Sequence, residues 1–236
     1  MCSKKIILSV LIFSIYNLLI SCSESVEPTK SALSYVPITV GDERQIVFTE
    51  DSSTIFYEVT GTVNRSDGME VYKYSWYYGT DTIPNIEYYG IKDGFFISTK
   101  LDTVRDSSYY LPSNPYFEQK LAKLYPNNGD TWQSIPGDSS SLYFIAQDIG
   151  TQHTFAGTFN NCYGYRLDNI ISANYSKGIG HIASTFPSYS FAYLSSYIKV
   201  NNRVYGSKMP AKDPTIVGNQ FKKRDLRLLS ILFGQK

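Results

Sequence analysis

The sequence predicts an all-β fold: a mainly antiparallel meander of about ten strands, forming a single curved open sheet or half-barrel with at most one or two short helices. Three observations carry that expectation. Apolar and polar residues alternate from Thr54 to Val63, the period of a half-buried strand. Turn residues separate short strand-like runs, most clearly at Asp93-Gly94. Aromatic residues reach 15% of the chain, with 21 Tyr and 13 Phe recurring at strand spacing, and such side chains fit a pleated, half-buried surface.

The elements follow in order. Arg44 to Thr49 reads as a first strand. Thr54 to Val63 places Ile55, Tyr57, Val59 and Val63 on one face and Thr54, Glu58, Thr60 and Thr62 on the other. Arg65-Ser66-Asp67-Gly68 turns the chain into Met69 to Tyr78, where Tyr72, Tyr74, Trp76 and Tyr78 share one side and form the candidate ligand face. Ile86 to Lys92 and Phe95 to Thr99 pair around Asp93-Gly94. Ser113-Asn114-Pro115 reads as the cap and first turn of a short helix, with Phe117, Leu121, Leu124 and Tyr125 at helical spacing up to Pro126. Further strands are expected at Leu142 to Gln147, Cys162 to Asp168, Ile179 to Thr185 and Ser190 to Val200, and Asn201-Asn202 turns into Arg203 to Tyr205.

Residues 1–21 read as a leader. Lys4 and Lys5 precede the apolar-rich run Ile6 to Ile20, which is shorter than the ~20 residues a helix needs to cross the hydrocarbon core. Leu19-Ile20-Ser21-Cys22 resembles the lipobox of bacterial lipoproteins. That resemblance implies alkylation of the Cys22 thiolate by a diacylglycerol, cleavage before it, and acylation of the new amino terminus; two or three chains anchor durably where one binds marginally. Ser23, where an aspartate would favour inner-membrane retention, implies the outer membrane by the same resemblance. Glu24 and Glu27 partly match an acidic surface-export stretch, so the periplasmic and external faces both stay open. Residues 22–34 are polar and read as a flexible tether, 35–206 as the β domain, and 207–236 as a basic tail.

Loss of Lys4 and Lys5 with the leader lowers Lys+Arg from 22 to 20 against 21 Asp+Glu, a net charge of −1, which gives no field for nucleic acid. With Cys2 removed and Cys22 lipidated, Cys162 alone remains, so no internal disulfide forms and the fold depends on its core. The tail differs: seven basic residues oppose Asp213 and Asp225, and Phe221, Leu228, Leu229 and Leu232 would share one face of a basic amphipathic helix, lying on lipid or a partner or docked on the sheet, unless the tail simply frays.

Four stretches carry a wider resemblance: Tyr35-Val36-Pro37-Ile38-Thr39-Val40-Gly41, Tyr125-Pro126-Asn127-Asn128-Gly129-Asp130-Thr131-Trp132, Ala156-Gly157-Thr158-Phe159-Asn160-Asn161-Cys162 and Lys177-Gly178-Ile179-Gly180. In that order they resemble a largely uncharacterised group of Bacteroidota lipoproteins, with the third stretch the most specific. The likeness departs at Gln45, where the group usually carries tryptophan. It implies a β-sheet domain on a lipid tether and no agreed activity.

Chemistry-bearing motifs are sparse. Two histidines, His153 and His181, make no H-x-x-x-H, and neither C-x-x-C nor G-x-S-x-G occurs. Asn127-Asn128-Gly129-Asp130 lacks the alternating acids of a calcium loop and reads as a turn. Cys162 reads as a small packed thiol rather than a nucleophile. Asp81-Thr82-Ile83 and Asp102-Thr103-Val104 resemble O-glycosylation sequences of the same bacterial group. Acids such as Asp81, Glu87, Asp93 and Asp102 leave a glycan hydrolase as the third expectation. The leading expectation is a non-catalytic, lipid-anchored structural or binding module without a cofactor. The second is a carrier enclosing an acyl chain or other apolar ligand against concave aromatics.

Overall fold

The computed structural model describes residues 34–105, 110–167, 171–186 and 191–214. Cys22 and the apolar residues Phe221 to Leu232 therefore lie outside the described residues. The described residues fold into thirteen strands: β1 (Glu43–Phe48), β2 (Thr54–Asn64), β3 (Glu70–Tyr78), β4 (Asn85–Lys92), β5 (Phe95–Thr99), β6 (Gln119–Lys123), β7 (Thr131–Gln133), β8 (Tyr143–Thr154), β9 (Gly157–Leu167), β10 (Ile171–Ser176), β11 (Gly180–Phe186), β12 (Phe191–Val200) and β13 (Arg203–Gly206). The sheet is antiparallel throughout and runs β6-β5-β4-β3-β2-β1-β12-β11-β10-β9-β8-β7, with β13 added beside β12. The fold is all-β, and the meander is interrupted where β1 pairs with β12, bringing the two halves of the chain side by side.

The sheet is almost closed. Its two edges meet where the Lys120 amide donates to the Ser134 carbonyl at 2.7 Å and the Lys123 ammonium pairs with Asp130 at 2.7 Å. Pairing of this kind removes an exposed edge that would otherwise recruit other strands. The enclosed face is filled by large rings: Trp132 stacks on Phe144 with centroids 5.5 Å apart, and Tyr165 meets Trp132 edge-on at 5.4 Å. Tyr165 is fully buried, and its hydroxyl donates to the Lys123 carbonyl at 2.6 Å, so ring and polar tip are both satisfied. Residues 34–38 cross one end of this barrel. The Tyr35 amide donates to the Leu124 carbonyl, the Gly178 amide donates to Ser34, and Tyr35, Val36 and Ile38 are buried.

Several expectations are corrected. No helix forms at 115–125: Asn114 instead clips a turn, its side-chain carbonyl accepting from the Glu118 amide at 2.7 Å and its amide donating to the Glu118 carbonyl at 2.8 Å. Gln119–Lys123 then pairs with β5. Strands β7 and β10 were not expected, and β8 and β9 are longer than the alternation suggests. Val63 does not share a face with Ile55, Tyr57 and Val59. A bulge between Val59 and Gly61 inserts Thr60, and every later side chain of β2 switches face.

The long β8–β9 hairpin explains the third motif. Its tip folds back on β12, where the Ala156 amide donates to the Ser195 carbonyl at 2.7 Å. Phe159 and Cys162 then join Ile182, Ile198 and Val200 in a small second core. Cys162 is fully buried, its thiol donates to the Phe159 carbonyl, and burial pushes its pKa up.

Candidate functional site

The alternation of β1 turns Ile46 and Phe48 into the core, and Arg44 shares their side of the strand. An arginine there must find acceptors or carry the cost of burial. One Nη2 hydrogen goes to the Ile179 carbonyl at 2.9 Å. Nε is sealed from solvent and has no hydrogen-bond partner. Among the described residues no ion pair within 4.0 Å includes Arg44. The backbone makes room for the guanidinium at Gly180, where φ is +94° and an added Cβ would stand 2.9 Å from Nη2.

Nearby acids are already engaged. The Asp42 carboxylate accepts from the Thr39 amide at 2.8 Å and the Asn201 amide at 3.2 Å, and burial raises its pKa. Glu43 pairs with Lys199 at 2.9 Å and Lys208 at 2.5 Å, and these ammonium groups hold its carboxyl below the usual range.

Around Arg44 opens a cleft of about 90 Å³, walled by Tyr57, Tyr74, Tyr89, Phe96, Tyr175 and His181, with Val36 and Pro37 from the end-crossing segment at its margin. Tyr74 meets Tyr89 edge-on at 4.7 Å, and Tyr89 stacks on Phe96 at 5.0 Å. Tyr57, Tyr74 and Tyr175 lie close enough to interact with the Arg44 charge. Burial raises the pKa of each, Tyr175 to about 12, so all three remain protonated donors at neutral pH. None of their hydroxyls is hydrogen-bonded to another described residue. His181 packs on Tyr175 at 5.3 Å and contacts the Ser184 hydroxyl through Nε2 at 2.9 Å. Burial, reinforced by Arg44, lowers its pKa to about 3 and keeps it neutral. The assembly sets one fixed cation and neutral hydroxyl donors on an aromatic wall, with the Asp42, Glu43 and Glu58 carboxylates also on the lining, and the guanidinium is the group that suits recognition of an anion.

Of the candidate ligand-face aromatics, Tyr74 lines this cleft, whereas Tyr72, Trp76 and Tyr78 pack against the main core. Cys22 lies outside the described residues. Asp81-Thr82-Ile83 is exposed, as are Asp102 and Thr103. Asn127–Asp130 forms a turn closed by the Asp130 amide on the Asn127 carbonyl at 3.1 Å. Among the described residues no group of three or more His, Cys, Asp or Glu side chains converges to hold a metal. The sequence reading missed Arg44, Tyr175 and His181 as site residues. Its one available signal was a charged residue on the inward alternation of β1.

No family model matches the chain, and no curated protein resembles it significantly. Among solved structures, a candidate lipoprotein from Parabacteroides distasonis aligns with 73% of this chain and 98% of its own at 13% identity and a TM-score of 0.36, a likeness too weak to carry an argument.

Proposed function

We propose that the protein is a lipid-anchored envelope protein, held at the outer membrane through Cys22, whose barrel is a non-catalytic binding module acting through the Arg44 cleft. The observation that carries the binding reading is the Arg44 guanidinium, which lines the cleft with one hydrogen bond, to the Ile179 carbonyl, and no ion pair within 4.0 Å among the described residues. Charged groups in native proteins otherwise find partners, so an arginine lining an open cleft with Nη hydrogens to spare marks a place where something binds. Support for the anchor is the sequence Leu19-Ile20-Ser21-Cys22 after a short apolar run. The packed rings of the barrel favour recognition of a small group over enclosure of an acyl chain, since about 90 Å³ falls well below the ~300 Å³ at which ligand pockets begin.

The test is fractionation of cells carrying Cys22→Ala. The wild-type chain should sediment with membranes and resist high salt, while the variant should become soluble. Salt-resistant membrane association of the variant would remove the anchor from this reading. Native mass spectrometry of the purified full chain addresses the binding module, with a co-purifying small molecule as the expected result.

A further inference from the structure

We propose that the Arg44 cleft is a receptor for the carboxylate of a small monocarboxylic acid, whose head group pairs with the guanidinium while the rest of the molecule extends out of the cleft. The inference rests on the binding-module reading and names the chemistry of its ligand.

Geometry selects the head group first. With one Nη2 hydrogen engaged at Ile179 and Nε sealed from solvent, the guanidinium retains its remaining Nη hydrogens for a ligand. Adjacent N–H groups on a guanidinium match the two oxygens of a planar carboxylate, giving two parallel charge-assisted hydrogen bonds. Tyrosine hydroxyls at 57, 74 and 175 are additional donors with no described partner, so an arriving oxygen can meet neutral O–H groups beside the guanidinium.

Size and charge narrow the class. At about 90 Å³ the cleft is far smaller than the ~300 Å³ at which ordinary ligand pockets begin, so it takes a head group and leaves the acid's body in its mouth. Arg44 is the one cation among the residues that line it, and Asp42, Glu43 and Glu58 line it as well. A phosphate dianion would bring a second negative charge toward these acids without a second cation to meet it. A monoanion neutralises Arg44 and adds no repulsion. His181, held neutral beside Arg44, supplies no further positive charge.

The test uses the purified full chain in a non-ionic detergent, with sodium acetate, benzoate and phosphate compared at equal ionic strength near pH 8. Acetate and benzoate should raise the melting temperature in a saturable manner, as a ligand of the folded state must. Phosphate should not compete. In Arg44→Gln the affinity should fall at least ~10-fold, the scale of losing a charge-assisted pair. Because Arg44→Gln alters a buried site, a second reading is taken on the wild-type chain: a slowly exchanging arginine Nη–H resonance should move downfield on adding acetate. Equal affinities in wild type and variant, competition by phosphate as strong as by acetate, or an unmoved resonance with no stabilisation would each overturn the proposal; the last would leave water as the occupant. None of these outcomes touches the fractionation of Cys22→Ala or a different molecule found by native mass spectrometry, so the two readings fail separately.

Discussion

Arg44 and Gly180 are fitted to one another: the guanidinium lies where a side chain at position 180 would begin, 2.9 Å from an ideal Cβ. Two effects oppose Gly180→Ala. The guanidinium is the far end of a flexible chain and can move, so the steric part is modest. The backbone at φ +94° cannot be made comfortable for an L side chain, and such strain costs ~1–3 kcal/mol. Gly180→Ala should therefore lower stability by about that amount in urea titrations. Most of the loss should persist when Arg44→Gln is also present, because the backbone and not the contact sets it. Full rescue by Arg44→Gln would show the contact to dominate.

The division between what was legible and what was not follows the range of the interactions. Asp93-Gly94 announced its hairpin because the signal and its structural consequence occupy the same residues, and Asp93 and Gly94 both adopt positive φ. Strand β6 was hidden because Phe117, Leu121, Leu124 and Tyr125 fit helical spacing, while what decides the matter is Asn114 bonding to Glu118 and β5 waiting alongside. The switch of Val63 to the other face turns on one inserted residue, Thr60, which alternation cannot register. The cleft was least legible, since Arg44, Tyr74, Tyr175 and His181 come from β1, β3, β10 and β11 and are brought together by the long-range pairing of β1 with β12.

His181 should give the stability a measurable pH dependence. Its folded pKa of about 3 lies below the ordinary 6.5. Between these values the unfolded chain binds a proton that the folded chain refuses, so the contribution is fully present above pH 6.5 and is lost as pH falls toward 3. The slope in that window cannot exceed ~1.4 kcal/mol per pH unit for one proton. His181→Asn should flatten the urea-derived stability profile there and leave it parallel to wild type above pH 7. Profiles that stay parallel down to pH 4 would place the pH dependence in other groups.

Gln45, the position that departs from the first motif, faces away from Arg44 and fastens residues 207–213 to the outside of the barrel. Its side-chain amide donates to the Met209 carbonyl at 2.9 Å, and its carbonyl accepts from the Met209 amide at 2.6 Å and the Ser196 hydroxyl at 2.9 Å. Farther along, the Lys212 amide donates to the Thr54 hydroxyl at 3.1 Å, and Asp213 accepts from the Thr80 amide at 2.8 Å. Gln45→Ala leaves the buried Ser196 hydroxyl only its longer bond to the residue-45 carbonyl at 3.4 Å and removes both bonds to the Met209 backbone, a loss of about 1 kcal/mol or more. Trypsin should then cut at Lys208 or Lys212 faster in the variant than in wild type. Unchanged cleavage would mean that the Thr54 and Thr80 contacts hold the strap without Gln45.

Arg65 is the opposite case to Arg44, a buried arginine whose every demand is met. Its side chain is 2% exposed; Nη2 pairs with Asp67 and Nη1 with Glu118, each at 2.6 Å, and Nη1 also donates to the Thr99 hydroxyl at 3.0 Å. The guanidinium lies 4.1 Å over the Tyr116 ring. Removing one partner of a buried pair costs ~3–5 kcal/mol, because the other is left uncompensated. Here the low end applies: Glu118 keeps Lys92 at 2.7 Å, and Asp67 is 36% exposed and can turn to water. Arg65→Met should thus cost ~3 kcal/mol in urea denaturation, and Glu118→Gln in the same chain should recover part of it. Arg65 also holds the Asp67 carboxyl at about 2, so its stabilisation is present above the ordinary 3.8 and fades as pH falls toward 2. That acid limb should weaken in Arg65→Met, whereas Arg44→Met, which removes a charge with no ion pair within 4.0 Å among the described residues, should cost far less or stabilise the fold. Equal costs for the two arginines would contradict the difference in pairing on which the reading of the cleft depends.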